Sequence, residues 1–281
     1  MGQRQRSRHR PAVRHHLRRP TAEIFGTDVT RADDVAGMVA AVHDRFGHID
    51  VLVANAHMHF RHRPFLEYEW ADLDRRVSDE LKAILHPCRA VAPEKLRRRS
   101  GSIIAISSTC SKRSNDGFLA QSTAKAAVDA FVRSLATELG PHGVRVNTVA
   151  PGLTLTDAAM PMAPHVKESI AARSPMRRNG LPEDMAGAVI FLASDLSRFM
   201  TGTYLPVDGG FTMLQRRVDD SSGNDRGGDS SGETGPQHER QAPRHRQLRL
   251  VHLQPRPDVP ELRPRDLRGP RRRARRGRRR A

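Results

Sequence analysis

Between residues 49 and 207 the chain switches repeatedly between two hydrophobic periods. Short unbroken apolar runs, the first from Ile49 to Ala56 (IDVLVANA), alternate with longer stretches whose apolar positions recur every three or four residues. Further runs at Ser102–Ser107 and Val144–Val149 are rich in β-branched side chains, as strands buried on both faces should be. Between them, residues 122–139 show helical spacing, opened by small polar residues and closed by Gly140 and Pro141. A further helix is predicted from Pro182 to Ala193, with proline in its first turn, and a last strand from Tyr204 to Val207. Strands alternating with helices argue for an α/β fold whose parallel sheet is covered by helices. A chain of 281 residues is long enough for one such domain.

Charge changes the picture at the two ends. The formal net charge is +17, and none of it comes from the middle: residues 21–214 hold 22 basic and 22 acidic side chains. Residues 1–20 carry 7 arginines and no acid, and residues 215–281 carry 19 arginines against 9 acids. The chain therefore divides into an Arg-rich unstructured segment at 1–20, a neutral body at 21–214, and a disordered Arg/Pro/Gly-rich tail at 215–281 that has too little apolar surface to offset the entropy of ordering. Two other readings of the ends stay open. The run Arg271, Arg272, Arg273, Ala274, Arg275, Arg276 can bind nucleic acid without specificity, although such arms usually mix lysine with arginine and these ends hold no lysine. Arg/Pro/Gly/His-rich ends are also what a shifted reading frame in a GC-rich gene would produce.

Two cysteines, Cys88 and Cys110, exclude a disulfide scaffold and point to the reducing cytoplasm. They form no metal-binding cluster, no apolar stretch of about 20 residues offers a membrane span, and no secretory signal follows the basic start.

Several short motifs follow one another through the body. Asp28, Val29 and Thr30 (DVT) come first, and Asn55 and Ala56 close the first apolar run. Ser108 lies 13 positions before Gln121, which lies 4 before Lys125. Pro151, Gly152, Thr154 and Thr156 (PGLTLT) follow the third strand, and Arg178–Ala186 (RNGLPEDMA) and Val207–Gly210 (VDGG) complete the set. In this order and spacing the body resembles the short-chain dehydrogenase/reductase family. The resemblance implies a Rossmann-like doubly wound parallel sheet, NAD or NADP as cofactor, and reduction of a small-molecule carbonyl or oxidation of an alcohol, in the manner of 3-oxoacyl reductases. It places Asp28 and Val29 at the adenine, Asn55 and Ala56 in the turn beside the cofactor, and Lys125 at the ribose. Pro151, Gly152, Thr154 and Thr156 fall at the nicotinamide end, and Ser108 polarises the carbonyl. It also implies a homo-oligomer, dimer or tetramer, paired through helices around residues 69–96 and 122–139.

Departures from the family pattern are as informative. Residues 1–27 contain no Gly-rich turn, the element that lets backbone N–H groups approach a pyrophosphate. By the resemblance the first strand, first helix and second strand are missing, which predicts a bare strand edge. Gln121 stands where the family has its proton-donating tyrosine, and an amide cannot shuttle a proton. Glu80 replaces an Asn that orders a relay water and is titratable. Ala54 and His57 replace an Asn and a Gly of the turn, with His57 a candidate substitute acid in a basic loop with His59, Arg61, His62 and Arg63. Phe118 fills the place where enoyl reductases of the wider family carry a tyrosine. Impaired turnover is expected, and the alternative functions are a non-catalytic binding or scaffold protein, or nucleic-acid association through the tail.

Overall fold

The computed structural model describes residues 22–213, so the segments expected at 1–20 and 215–281 lie outside the described residues. Four parallel strands form one sheet in the order β1-β2-β3-β4: β1 (Val51–Ala54), β2 (Gly101–Ile106), β3 (Val144–Pro151) and β4 (Tyr204–Val207). Strand order following chain order with every pair parallel requires a crossover between each pair, and the helices supply it. These are α1 (Ala32–Phe46), α2 (Trp70–Arg98), α3 (Leu119–Leu139), α4 (Pro164–Arg173) and α5 (Pro182–Ala193).

Alternation along the strands decides which side each residue serves. Leu52, Ala54, Ile103, Ala105, Val144 and Val146 face α1, α2 and α3 and form the larger core with Val39, Val91, Val128 and Val132. Val51, Val53, Ile104, Ile106, Val149, Leu205 and Val207 face the other way and meet α5 through Leu192 and Val189. The sheet is thus doubly wound, but unevenly. Only Ile104, Val149 and Leu192 are fully buried in the second cluster, since α5 covers that face on its own among the described residues. On β1, Leu52 and Ala54 are buried while Val51 and Val53 are half-buried. Among the described residues β1 pairs with β2 alone, so its outer edge meets no strand among them, as expected from the sequence.

The first apolar run makes a shorter strand than its pattern suggests, Val51–Ala54 rather than Ile49–Ala56, because parallel pairing with Ser102–Ala105 ends there. The helix expected at 122–139 starts three residues earlier, at Leu119. Helix α1 was not expected from the strand pattern, yet its ends obey simple electrostatics. Asp33 and Asp34 lie in its first turn, His43 and Arg45 in its last, and Gly47 at φ 85° donates its N–H back to His43 O at 2.8 Å.

Helix α2 carries a polar surprise on its buried side. Its buried positions, 76, 80, 83, 84, 87, 88, 91, 94 and 95, trace one continuous stripe, and four of them are charged. At the lower end, Lys95 is fully buried and its Nζ donates to Ile49 O (2.7 Å) and Asp50 O (2.8 Å), which fixes the entry into β1. Glu94 beside it accepts from Ile49 N (3.3 Å) and pairs with His43 Nε2 at 3.0 Å, tying α1 to α2.

Candidate functional site

The C-terminal ends of the parallel strands are where a doubly wound sheet presents ligands to its loops. Asn55 and Ala56 follow β1, Ser108 follows β2, and Pro151 ends β3 with Gly152 next, so these residues expected at the site share one rim of the sheet. Helix α3 runs beside it with Gln121 and Lys125 one turn apart on its buried face. The Ser107 hydroxyl donates to Lys125 O at 3.3 Å and holds the helix against the end of β2.

At the centre lies a row of buried polar side chains. Lys125 Nζ donates to Ile106 O (2.8 Å) and pairs with Glu80 Oε1 at 2.6 Å. The second Glu80 oxygen accepts from Arg76 Nη1, and Arg76 turns its other N–H groups, Nη2 and Nε (3.2 Å), onto Gln121 Oε1. Arg76, Glu80, Gln121 and Lys125 are all at least 94 % buried. Burial alone would raise the Glu80 carboxyl, yet Lys125 and Arg76 together hold it below its ordinary value, so it is an anion at neutral pH. Glu80 therefore acts as a counter-ion to two cations, and the titratable relay role considered from sequence is not what this environment favours.

Arg76 escaped the sequence reading altogether. Its signal was there: an arginine four residues before Glu80, on the stripe that continues through Ala83, Ile84, Pro87 and Val91. A charged residue at a buried helical position needs partners, and Glu80 and Gln121 are the partners.

The remaining residues divide between ligand-facing loops and local structure. The Ser108 hydroxyl accepts from Cys110 N at 3.3 Å and opens a 3-10 turn, while Tyr204 donates to Ser108 O at 3.4 Å. Asp28 accepts from Thr30 N (3.0 Å) and the Thr30 hydroxyl (2.7 Å), so the DVT motif builds the turn into α1. Asn55 is exposed, and Ala56 lines a water-sized pocket with Glu80, Ala83 and Ile106.

Gly152 packs where a side chain would not fit, since a Cβ there would lie 2.9 Å from Asp208 Cβ, and its N–H donates to Val207 O at 3.0 Å. Thr154 donates to Gly152 O (3.2 Å) and bridges to Gly180, and Thr156, exposed, opens the next 3-10 turn. In the RNGLPEDMA segment Arg178 grips Asp184 with both Nη atoms (2.6 and 2.8 Å) at the start of α5. Asp208 of VDGG accepts from Gly210 N and from the Thr212 N–H and hydroxyl.

His57, His59, Arg61 and His62 are exposed, as a solvated basic loop should be, and Arg63 anchors the loop. Arg63 N donates to Gly117 O (3.3 Å), Arg63 pairs with Asp72 (3.1 Å), and His62 meets the Phe118 ring edge-on at 5.2 Å. The loop is thereby strapped across the segment leading into Gln121. His57 keeps an exposed surface, but surrounding protein, then Lys125 and Arg76, lower its pKa to about 4. At neutral pH it has no imidazolium proton to give. Among the described residues no group of three or more His, Cys, Asp or Glu side chains could hold a metal ion.

Comparisons with known proteins place the chain in a family. A family model described as enoyl-(acyl carrier protein) reductase matches residues 3–212. An acetoacetyl-CoA reductase of Allochromatium vinosum is 38 % identical over 190 residues, covering 68 % of this chain and 77 % of the relative. A 3-oxoacyl-[acyl-carrier-protein] reductase of Staphylococcus aureus is 35 % identical over 191 residues, covering 66 % and 75 %. Among solved structures, a short-chain type dehydrogenase/reductase from Mycobacterium ulcerans superposes with a TM-score of 0.64 at 31 % identity, over 66 % of this chain and 69 % of that one. A gluconate 5-dehydrogenase from Burkholderia cenocepacia, in complex with NADP and tartrate, gives 0.63 at 29 % identity, over 67 % and 74 %.

Proposed function

The chain belongs to the short-chain dehydrogenase/reductase family of oxidoreductases, and from that premise we propose that it binds a nicotinamide nucleotide and a small 3-oxoacyl-like carbonyl compound at the rim of its sheet but reduces the carbonyl slowly. The observation that carries this reading is the Arg76 guanidinium seated on the Gln121 amide oxygen. When bound, the nucleotide supplies the hydride; the chain must then supply a proton to the new alkoxide. Gln121 has no titratable proton, Glu80 is ionised, and His57 is neutral at pH 7. Loss of general acid catalysis lowers rates by about 100 to 10,000-fold.

Binding groups fare better. Lys125 has three N–H donors and uses two of them on Glu80 and Ile106 O, which leaves one for a ribose hydroxyl. Ser108 keeps its own O–H to donate to a carbonyl oxygen. Pro151, Gly152, Thr154 and Thr156 form the loop toward the nicotinamide, with Asn55 and Ala56 beside it and Asp28 toward the adenine, while Val29, expected there from the sequence, is fully buried in the core and offers a ligand no surface. Residues 1–27 contain no Gly-rich turn to cradle the pyrophosphate, so affinity should be modest.

The test is a fluorescence titration of the full chain with NADPH and with NADH at low and high salt. Saturable binding that survives the higher salt supports the reading. Absence of binding by folded protein, or binding that vanishes with salt as simple attraction to the Arg-rich ends would, contradicts it.

A second reading, a non-catalytic binding protein, is favoured by one observation: Phe65 and Leu66, in the 3-10 turn before α2, and Trp70, its first residue, are each more than 70 % exposed. Self-association through α2 would cover them. Light scattering on the wild-type chain and on a Leu66→Ser, Trp70→Ser double variant tests this, with a drop in oligomer size expected from the variant and an unchanged size against it.

A further inference from the structure

We propose that Arg76 is a positioning residue that makes the site selective for a carbonyl oxygen over the corresponding alcohol, because it takes the acceptor end of Gln121 and leaves only the amide N–H2 to meet a ligand. This rests on the carbonyl-ligand reading above. An amide is planar, with its acceptor and its donors at opposite ends. Arg76 bonds the oxygen end through Nε and Nη2 from the side of α2, so the nitrogen faces away from α2. Among the described residues no acceptor is hydrogen-bonded to Gln121 Nε2.

The groups around it deepen the bias. Lys125 can only donate. Ser108 Oγ already accepts from Cys110 N, and its hydroxyl hydrogen is the part left over. The one strong acceptor nearby, Glu80, has an oxygen on Arg76 and the other on Lys125. A carbonyl oxygen brings two lone pairs and no hydrogen, and is satisfied by donors alone. An alcohol that accepts the same donors is left with its own hydrogen facing no free acceptor, and an unmade buried hydrogen bond weakens binding. A tyrosine hydroxyl at position 121 would both donate and accept, and would not discriminate in this way.

Among the described residues no side-chain nitrogen or oxygen of Arg76, Glu80 or Gln121 is both buried and without a partner, so Gln121 Nε2, which has none, keeps some open surface. The amide at 121 is thus held by its oxygen, with its nitrogen left for a ligand.

The experiment uses acetoacetyl-CoA and 3-hydroxybutanoyl-CoA, probes that differ only at the oxygen in question. Each is titrated calorimetrically into the full chain, with NADP present and absent. The wild-type chain is expected to bind the keto probe about tenfold more tightly, the ratio given by one unmade hydrogen bond. Arg76→Met frees the amide to rotate and leaves Glu80 paired with Lys125, so the ratio should fall toward one while binding persists. Gln121→Glu keeps a partner for Arg76 but has no N–H, so the preference should reverse toward the alcohol. A purely structural role for Arg76 would weaken both probes alike. Equal affinities in the wild-type chain, an unchanged ratio in Arg76→Met, or binding of neither probe would overturn the proposal. Failure of NADP alone to bind strikes the cofactor reading instead, because the probe ratio is also measured without it.

Discussion

Glu80 holds two cations inside the protein, and that single anion sets how the site responds to substitution and to pH. Removing one member of a buried ion set leaves uncompensated charge and costs about 3–5 kcal/mol. Glu80→Gln should therefore destabilise the fold by that order, read from urea unfolding, because Arg76 and Lys125 would remain buried without an anion. Since the folded carboxyl lies below its ordinary 4.5, its contribution is present above that pH and is lost as pH falls through the depressed folded value.

Lys95 also favours the fold more as pH rises, but because its charge costs stability where that of Glu80 contributes it. Burial lowers its pKa from 10.5 to about 8, so its charged form costs stability below pH 8, and the cost is relieved as pH rises toward 10.5. The wild-type chain should gain on the order of 3 kcal/mol relative to Lys95→Met across that interval. Parallel pH dependence in the two proteins, measured by denaturant unfolding, would remove Lys95 as the source. Neither effect was legible in the sequence, which singled out Glu80 but not Arg76, Glu94 or Lys95. Three-dimensional neighbours 45 or 46 residues away, Gln121 for Arg76 and Ile49 for Lys95, are what make those positions tenable.

At the level of elements, the sequence told most where geometry is local. The α5 and β4 boundaries match the expected 182–193 and 204–207, because proline starts the helix and Gly209 and Gly210 follow the strand. Ser108, Gln121, Lys125, Pro151 and Gly152 do meet at one rim, since strand ends and a helix turn fix them. What spacing could not show is the engagement of each motif in its own turn: Asp28 with Thr30, Asp184 with Arg178, Asp208 with Thr212. Gly152 offers a clean test at this scale. A methyl group there would press on Asp208 Cα and Cβ, at 3.0 and 2.9 Å, and separate the ends of β3 and β4. Gly152→Ala should cost about 1–3 kcal/mol. An unchanged midpoint of thermal unfolding would mean that the two strand ends yield without loss.

For the whole molecule, the uneven sheet is the dominant feature. In a parallel sheet alternate backbone groups point to opposite neighbours, and those on the outer side of β1 have no strand to meet among the described residues. Amide hydrogen exchange should therefore be markedly faster in Val51–Ala54 than in the central Val146–Val149, by orders of magnitude if β1 opens locally. Equal protection would show that another chain or segment covers the edge. The sequence forecast this edge through its departure from the family pattern in residues 1–27, whereas the half-buried state of Val51 and Val53 on the thinly covered face emerges only from the packing.

On the proposed reading the site binds a carbonyl but lacks the proton donor to complete its reduction. NADPH oxidation with acetoacetyl-CoA, followed at equal concentrations of the wild-type chain and Gln121→Tyr, tests it most directly. A phenol beside Lys125 and Arg76 would regain a titratable proton, so the variant should turn over at least about 100-fold faster. A wild-type chain as fast as the variant would contradict the account and place the proton donor elsewhere.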